Sequence, residues 1–142
     1  MDISKIKNDN FSGANELLNT AANILITFWG NADRTDSEFD SRLKQLGLDL
    51  INAQPRMAPL FNLVNFVFNQ YEKDKTDSNA AKAFMQRAKN AEKNVITNAC
   101  EILENKQKIC SFSRSSLVIN VLNTLGSKQE REIFLTESRP IN

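Results

Sequence analysis

The stretch "KICSFSRSSLVINVLNTLGSKQEREIFLTESRP", Lys108–Pro140, decides how this chain is read. "KICSF" is a short apolar run flanked by polar residues, the pattern of a buried strand. "SSLVINVLNTLG" changes the period to that of a helix, with Leu117, Val118, Val121, Leu122 and Leu125 inward and Gly126 at its end. "EIFLT" is a second short apolar run. Strand, helix, strand in that order predicts a βαβ unit, with parallel strands and a right-handed crossover.

Parallel strands bring their C-terminal ends to one edge of a sheet. The loop Ser111–Ser116 and the loop Thr136–Pro140 should therefore meet there. The first loop opens a helix, whose N–H groups and positive dipole end favour an anion. Ser113, Ser115 and Ser116 add hydroxyl donors. Arg114 and Arg139 add charge that pairs with phosphate through two hydrogen bonds each. Glu137 is placed to accept from a sugar hydroxyl or to orient an arginine. The chemistry predicted is a small phosphorylated ligand at the carboxyl edge of an α/β sheet. A plainer reading stands beside it: Ser113 is a helix N-cap, Arg114 is solvated, and Arg139 pairs with Glu137 or Glu132.

Upstream, only four glycines and three prolines punctuate the chain, which favours long helices. A short helical start runs from about Asp2 to Lys7. "SGANELLNTAANILITFW" puts Leu17, Leu18, Ala21, Ile24, Leu25 and Phe28 on one face, with Ser12 as N-cap and Gly30-Asn31 as the stop. Thr35-x-x-Glu38 reads as a capping box ahead of Phe39, Leu43, Leu46 and Leu50. Pro55 ends that helix by disfavouring the helical conformation at Gln54. The next segment, with Met57, Leu60, Phe61, Leu63, Val64, Phe66, Val67, Phe68 and Tyr71, is apolar nearly all round and should be central. Its Asn62, Asn65 and Asn69 need polar contacts between helices. A long polar helix to about Asn105 follows, with the stripe Phe84, Ala88, Ala91, Val95, Ala99 and Ile102. Together these predict an antiparallel helical bundle with short loops.

The totals exclude several classes. A length of 142 residues suffices for one domain with a core, and 41% hydrophobic with 25% charged residues is ordinary for a soluble globular chain. The net charge of +1 gives no polycationic field for nucleic acid. No apolar run approaches the roughly 20 residues that span a membrane. "MDISKIKNDN" lacks the apolar centre of a signal peptide. Two cysteines, Cys100 and Cys110, fit a reducing compartment and read as buried apolar residues rather than reactive ones. Cytoplasmic localisation is the expectation. Histidine is absent, which removes Ser-His-Asp and Cys-His nucleophile systems and the commonest metal ligand. No metal or cofactor is expected.

Four stretches in order, "SGANELLNTAANIL", "AQPRMAPLFNLVN", "ICSFSRSSLVINVL" and "IFLTESRP", are similar to the translation initiation factor two-B alpha/beta/delta family. That family includes sugar-phosphate isomerases acting on ribose-1,5-bisphosphate and methylthioribose-1-phosphate. The resemblance covers the first half of a family member. It implies a mainly α chain: an N-terminal helical domain, 1–106, and the first βαβ unit of a truncated Rossmann-like α/β domain, 107–142. A fragment of this kind should either self-associate or leave the tail after about Lys106 imperfectly docked, because two strands make a poor independent sheet.

The isomerases' site does not carry over intact. Where they have an Arg-Gly-Ala turn for substrate phosphate, this chain has Ser12. Where they have Arg-Pro before the central helix, it has Gln54, with Arg56 close by. Where they have a catalytic cysteine after the first strand, it has Ser113; Cys110 lies three residues earlier. The family's catalytic aspartate belongs beyond Asn142. The resemblance thus implies a non-catalytic regulatory or assembly subunit, with no catalytic residue. Its ligand-binding set is Ser113, Arg114, Ser115, Ser116, Glu137 and Arg139, and in a second tier Ser12, Gln54 and Arg56. Homo- or hetero-oligomers and a phosphorylated small molecule are the expected partners, without membrane or direct nucleic-acid binding. The alternatives are the N-terminal part of an aldose–ketose isomerase and a purely structural helical module.

Overall fold

The computed structural model describes residues 2–9, 11–33, 35–112, 115–127 and 130–136. Its elements are α1 (Ser4–Lys7), α2 (Ala14–Asn31), α3 (Phe39–Ala53), α4 (Ala58–Lys73), α5 (Ala80–Leu103), β1 (Lys108–Ser111), α6 (Ser116–Gly126) and β2 (Glu132–Leu135). The chain divides into two compact units, Met1–Arg87 and Ala88–Asn142, with α5 passing from one to the other.

In the first unit the apolar periods become buried stripes. α2 buries Leu17, Leu18, Ala21, Leu25 and Phe28 as expected, adds Ala22 and Trp29, and leaves Ile24 half-buried. α3 buries Phe39, Leu43, Leu46 and Leu50, and stops where Pro55 forbids continuation. α4 buries Leu60, Leu63, Val64, Val67 and Tyr71, while Phe61 stays 53% exposed. Fully buried Leu25, Leu43, Leu50, Leu60 and Leu63 each contribute about 1.5–3 kcal/mol of transfer free energy. Helices α3 and α4 approach closely because Gly47 lies between them. A Cβ there would sit 2.6 Å from Phe68 Cε2 and 3.0 Å from Val64 Cγ1.

Two expected caps are replaced. The α2 N-cap is Gly13, not Ser12; the Ser12 amide instead donates to Asp9 Oδ1 at 2.7 Å. The capping box at Thr35 and Glu38 does not form. Glu38 is itself the N-cap residue of α3 and makes no side-chain cap. Asp33 takes the Thr35 amide and hydroxyl, and Asp36 takes the Glu38 amide, so local Asx turns outcompete the box.

At one end of this unit Phe28, Trp29, Phe39 and Tyr71 form an aromatic cluster with centroids 5.1–5.9 Å apart. Such pairs contribute about 0.5–1.5 kcal/mol beyond their area. The Tyr71 hydroxyl donates to Asp40, and Lys75 Nζ lies 4.0 Å from the Tyr71 ring centre and 3.4 Å from Asp40 Oδ2. α3 and α4 are thereby tied by a phenol–carboxylate bond.

The second unit is small. Cys100, Val121 and Leu125 form its core, with Ile96, Ala99, Leu103 and Ile109 packed on it. The stripe of α5 is therefore displaced from the expected one: Val95 is 47% and Ile102 75% exposed. Two apolar rows run along this helix, and α6 and β1 select the row through Ile96, Cys100 and Leu103. Cys100 is buried as expected, but Cys110 is exposed.

β1 and β2 pair in parallel, Lys108 with Glu132, Ile109 with Ile133, Cys110 with Phe134 and Ser111 with Leu135. Arg131, immediately before β2, fixes their entry. Its guanidinium donates to the carbonyls of Lys106 (3.1 Å), Glu104 (2.8 Å) and Leu125. The last two lie at the C-terminal ends of α5 and α6, where carbonyls lack helical partners and the dipole favours a cation. One planar fork thus gathers two helix ends and the start of a strand.

Tyr71 and Arg131 both lend themselves to measurement. Burial first, then the bond to Asp40 and its negative charge, push the Tyr71 phenol up to about 12 from the ordinary 10.0. A raised folded-state value means its stabilisation is complete below about pH 10 and is lost as pH rises toward about 12. Tyr71 is the only tyrosine, so the tyrosinate absorbance should titrate near 12; a midpoint near 10 contradicts the contact. Arg131→Ala should cost about 2–3 kcal/mol in denaturant unfolding of the second unit. Arg131→Lys should recover only part, because one ammonium cannot serve three separated carbonyls. Equal stability of Arg131→Ala and the parent would show that the guanidinium holds nothing.

Candidate functional site

The parallel pairing places the ends of β1 and β2 at one edge. There the Thr136 amide donates to the Ser111 carbonyl at 3.1 Å, and the Thr136 hydroxyl to the Phe112 carbonyl at 2.8 Å. The two trailing segments are thus joined by hydrogen bonds at their first residues. From this edge the chain leads within a few residues into α6. Ser115 is the α6 N-cap: its Oγ accepts from the Val118 amide at 3.2 Å. The capping role assigned to Ser113 in the plainer reading therefore belongs to Ser115. Ser116 is the first helical residue and is exposed. Ser113, Arg114, Glu137 and Arg139 lie outside the described residues.

What this edge can do follows from its parts. An N-terminus of an eleven-residue helix carries partial positive charge and amide donors. Ser115 and Ser116 hydroxyls stand beside it. Among the described residues no group of three Cys, Asp or Glu side chains gathers as a metal site would.

The second-tier residues gather in the first unit. Gln54 Nε2 donates to the carbonyls of Ile6 (3.1 Å) and Asp9 (3.0 Å). Ser12 and Phe11 amides both donate to the Asp9 carboxylate. The Ser12 hydroxyl, followed by those amides, holds Asp9 below the usual carboxylate range. The α1–α2 loop and the α3–α4 turn therefore meet at Asp9, Ser12 and Gln54, with Arg56 exposed on the same turn. Gln54 ties two backbone segments together, and the ionised Asp9 beside it opposes an incoming phosphate.

Sequence reasoning missed Asp9 and Arg131. Both bind main-chain groups supplied by neighbouring turns or by packed helix ends. An Asp three residues before a Ser is a readable turn signal for the first. Nothing local announces the second.

Among the described residues no helix is long and apolar enough to cross a membrane. The initiation factor 2 subunit family model matches residues 10–142. A translation initiation factor eIF-2B subunit 2-like protein of Pyrococcus horikoshii is 24% identical over 139 residues, 97% of this chain and 49% of that protein. Its Pyrococcus furiosus counterpart is 25% identical over the same shares. A ribose 1,5-bisphosphate isomerase of Archaeoglobus fulgidus is 24% identical, covering 96% of this chain and 45% of that protein. The crystal structure of the Pyrococcus horikoshii translation initiation factor eIF-2B superposes with a TM-score of 0.79, at 22% identity, over 97% of this chain and 50% of that one. The chain thus spans about half the length of the relatives it matches. With its mainly helical fold and parallel strand pair, it belongs to the initiation factor 2 subunit family.

Proposed function

We propose that this chain is a non-catalytic regulatory or assembly member of its family, carrying a sugar-phosphate- or nucleotide-binding loop at the carboxyl edge of β1 and β2. In this reading the first unit is an antiparallel helical bundle, and β1–α6–β2 is the first βαβ unit of a Rossmann-like layer. The partners are a phosphorylated small molecule and other subunits, copies of this chain or relatives, in a cytoplasmic setting.

The observation that carries the reading is the shared edge. Parallel pairing, closed by Thr136 on Ser111 and Phe112, brings the ends of β1 and β2 to one edge, and Arg114 and Arg139 follow those strands in the sequence. Ser113 and Arg114 supply a hydroxyl and a bidentate cation, and Ser115 and Ser116 flank the helix start. Against isomerase catalysis stand two features of the sequence: serine occupies the position where the resemblance puts the isomerases' cysteine, and Ser12 and Gln54 stand where it puts two arginines. The Gln54 amide is committed to two carbonyls, with a carboxylate beside it. Each lost charged hydrogen bond to phosphate weakens binding by about 1.5–3 kcal/mol.

A second reading, the N-terminal part of an isomerase, is favoured by the likeness to the Archaeoglobus fulgidus protein. One experiment separates the two and also tests the structural-module alternative. The chain is titrated by calorimetry with ribose-1,5-bisphosphate and methylthioribose-1-phosphate, then assayed for their isomerisation. Saturable binding without turnover is expected, weakened about tenfold or more by Arg114→Ala, the equivalent of about 1.4 kcal/mol. Turnover abolished by Ser113→Ala assigns the chain to the isomerases. Absence of Arg114-dependent binding leaves a structural helical module.

A further inference from the structure

Within the second unit α5 and α6 run in the same direction. Asn120 Nδ2 donates to Glu92 Oε1 at 3.3 Å, and the Cys100 thiol donates to the Val121 carbonyl at 3.9 Å. Arg131 then bridges the carbonyls of Glu104 and Leu125. Each later residue of α5 thus meets a later residue of α6. Ser116, where α6 begins, lies one turn or about 6 Å before Asn120. The start of α6 therefore falls beside the part of α5 around Glu92.

At that level the row of α5 that packs on α6 changes character. Ile96, Cys100 and Leu103 meet Val121 and Leu125 in the core. Continued toward the N-terminus of α5, the row reads Lys93 and Lys89. The steps from Lys89 to Leu103 are four, three, four and three, so all five residues share one helical stripe. The stripe is apolar where α6 covers it and cationic where α6 begins. Beyond Lys93, α5 carries Glu101 and no cation, so its positive charge in this unit is confined to one end.

Both lysines are exposed, and among the described residues neither forms an ion pair. Glu92, the acid between them, accepts the bond from Asn120. Lys89 and Lys93 stand four residues apart, a spacing at which like charges on a helix repel. An anion held between them and the α6 start relieves that repulsion. We infer that Lys93 and Lys89 are further ligand-binding residues of the carboxyl-edge site, a cationic wall supplied by α5 for a phosphorylated ligand at the start of α6. This rests on the phosphate-binding reading above and extends it to a third element. Ammonium groups on flexible stems act as point charges, so they set how strongly the site rewards negative charge and leave the ligand's shape to other groups.

The calorimetric titration with ribose-1,5-bisphosphate, repeated on variants of α5, tests the assignment. Lys93→Gln should weaken binding about threefold, and Lys93→Gln with Lys89→Gln about tenfold, with less dependence on salt than the parent shows. Lys93→Arg should keep the affinity, because the charge stays in place. Lys106→Gln removes the same charge just past the other end of α5 and should leave binding unchanged. Circular dichroism of every variant should match the parent. Parent-like binding by the double variant, while Arg114→Ala still weakens it, overturns the inference and leaves the binding loop standing. Equal weakening by Lys106→Gln also overturns it, because net charge rather than position would then be read. Absence of binding by the parent chain removes the site itself and this wall with it.

Discussion

The parallel pairing of Lys108–Ser111 with Glu132–Leu135 is the constraint on which the second unit depends. Four residue pairs are a small ladder, and two strands alone are marginal in water. The pairing is supported from below by the Cys100, Val121 and Leu125 core and from the entry side by Arg131. The arginine donates to carbonyls at two helix ends and just before a strand start. A single cation beside two helix C-termini also benefits from both dipoles. The point at which β2 begins follows from this arrangement.

The proposed binding edge depends on strand direction. Were the strands antiparallel, the segments after Ser111 and Leu135 would leave from opposite ends and no common edge would exist. In parallel they are joined by the Thr136 contacts, close in sequence to the Ser115-capped start of α6. A capped helix start beside the carboxyl ends of parallel strands is the kind of position where backbone amides and the helix dipole favour an anion. The first unit shows the complementary case. Its Ser12 and Gln54, the positions where the resemblance puts the isomerases' arginines, are tied into the turn around an ionised Asp9.

Much of this was legible in the residues. The change from period-four to short apolar runs after Lys106 located β1, α6 and β2, because strand and helix periods differ sharply. The stripes of α2 and α3 were legible for the same reason. Elsewhere competing local options hid the outcome. Thr35 and Glu38 match a capping box, but Asp33 and Asp36 each lie two residues before the same amides and take them in Asx turns. α5 carries two overlapping apolar rows, and only packing with α6 decides that Cys100 rather than Val95 turns inward. Gly47 and Arg131 matter through partners 17 or more residues away or on backbone, as with Val64 and Glu104, and no window of sequence contains that relation.

The most direct test of the account is the direction of β2, read from cross-strand proton–proton contacts by nuclear magnetic resonance. Parallel pairing places the Glu132 amide against Gln107 and the Thr136 amide against Ser111, at 2.9 and 3.1 Å from their carbonyl oxygens. The account expects contacts between Gln107 and Glu132 and between Ser111 and Thr136. Contacts joining Gln107 with Thr136, and Ser111 with Glu132, would mean antiparallel strands, and the shared edge would not exist.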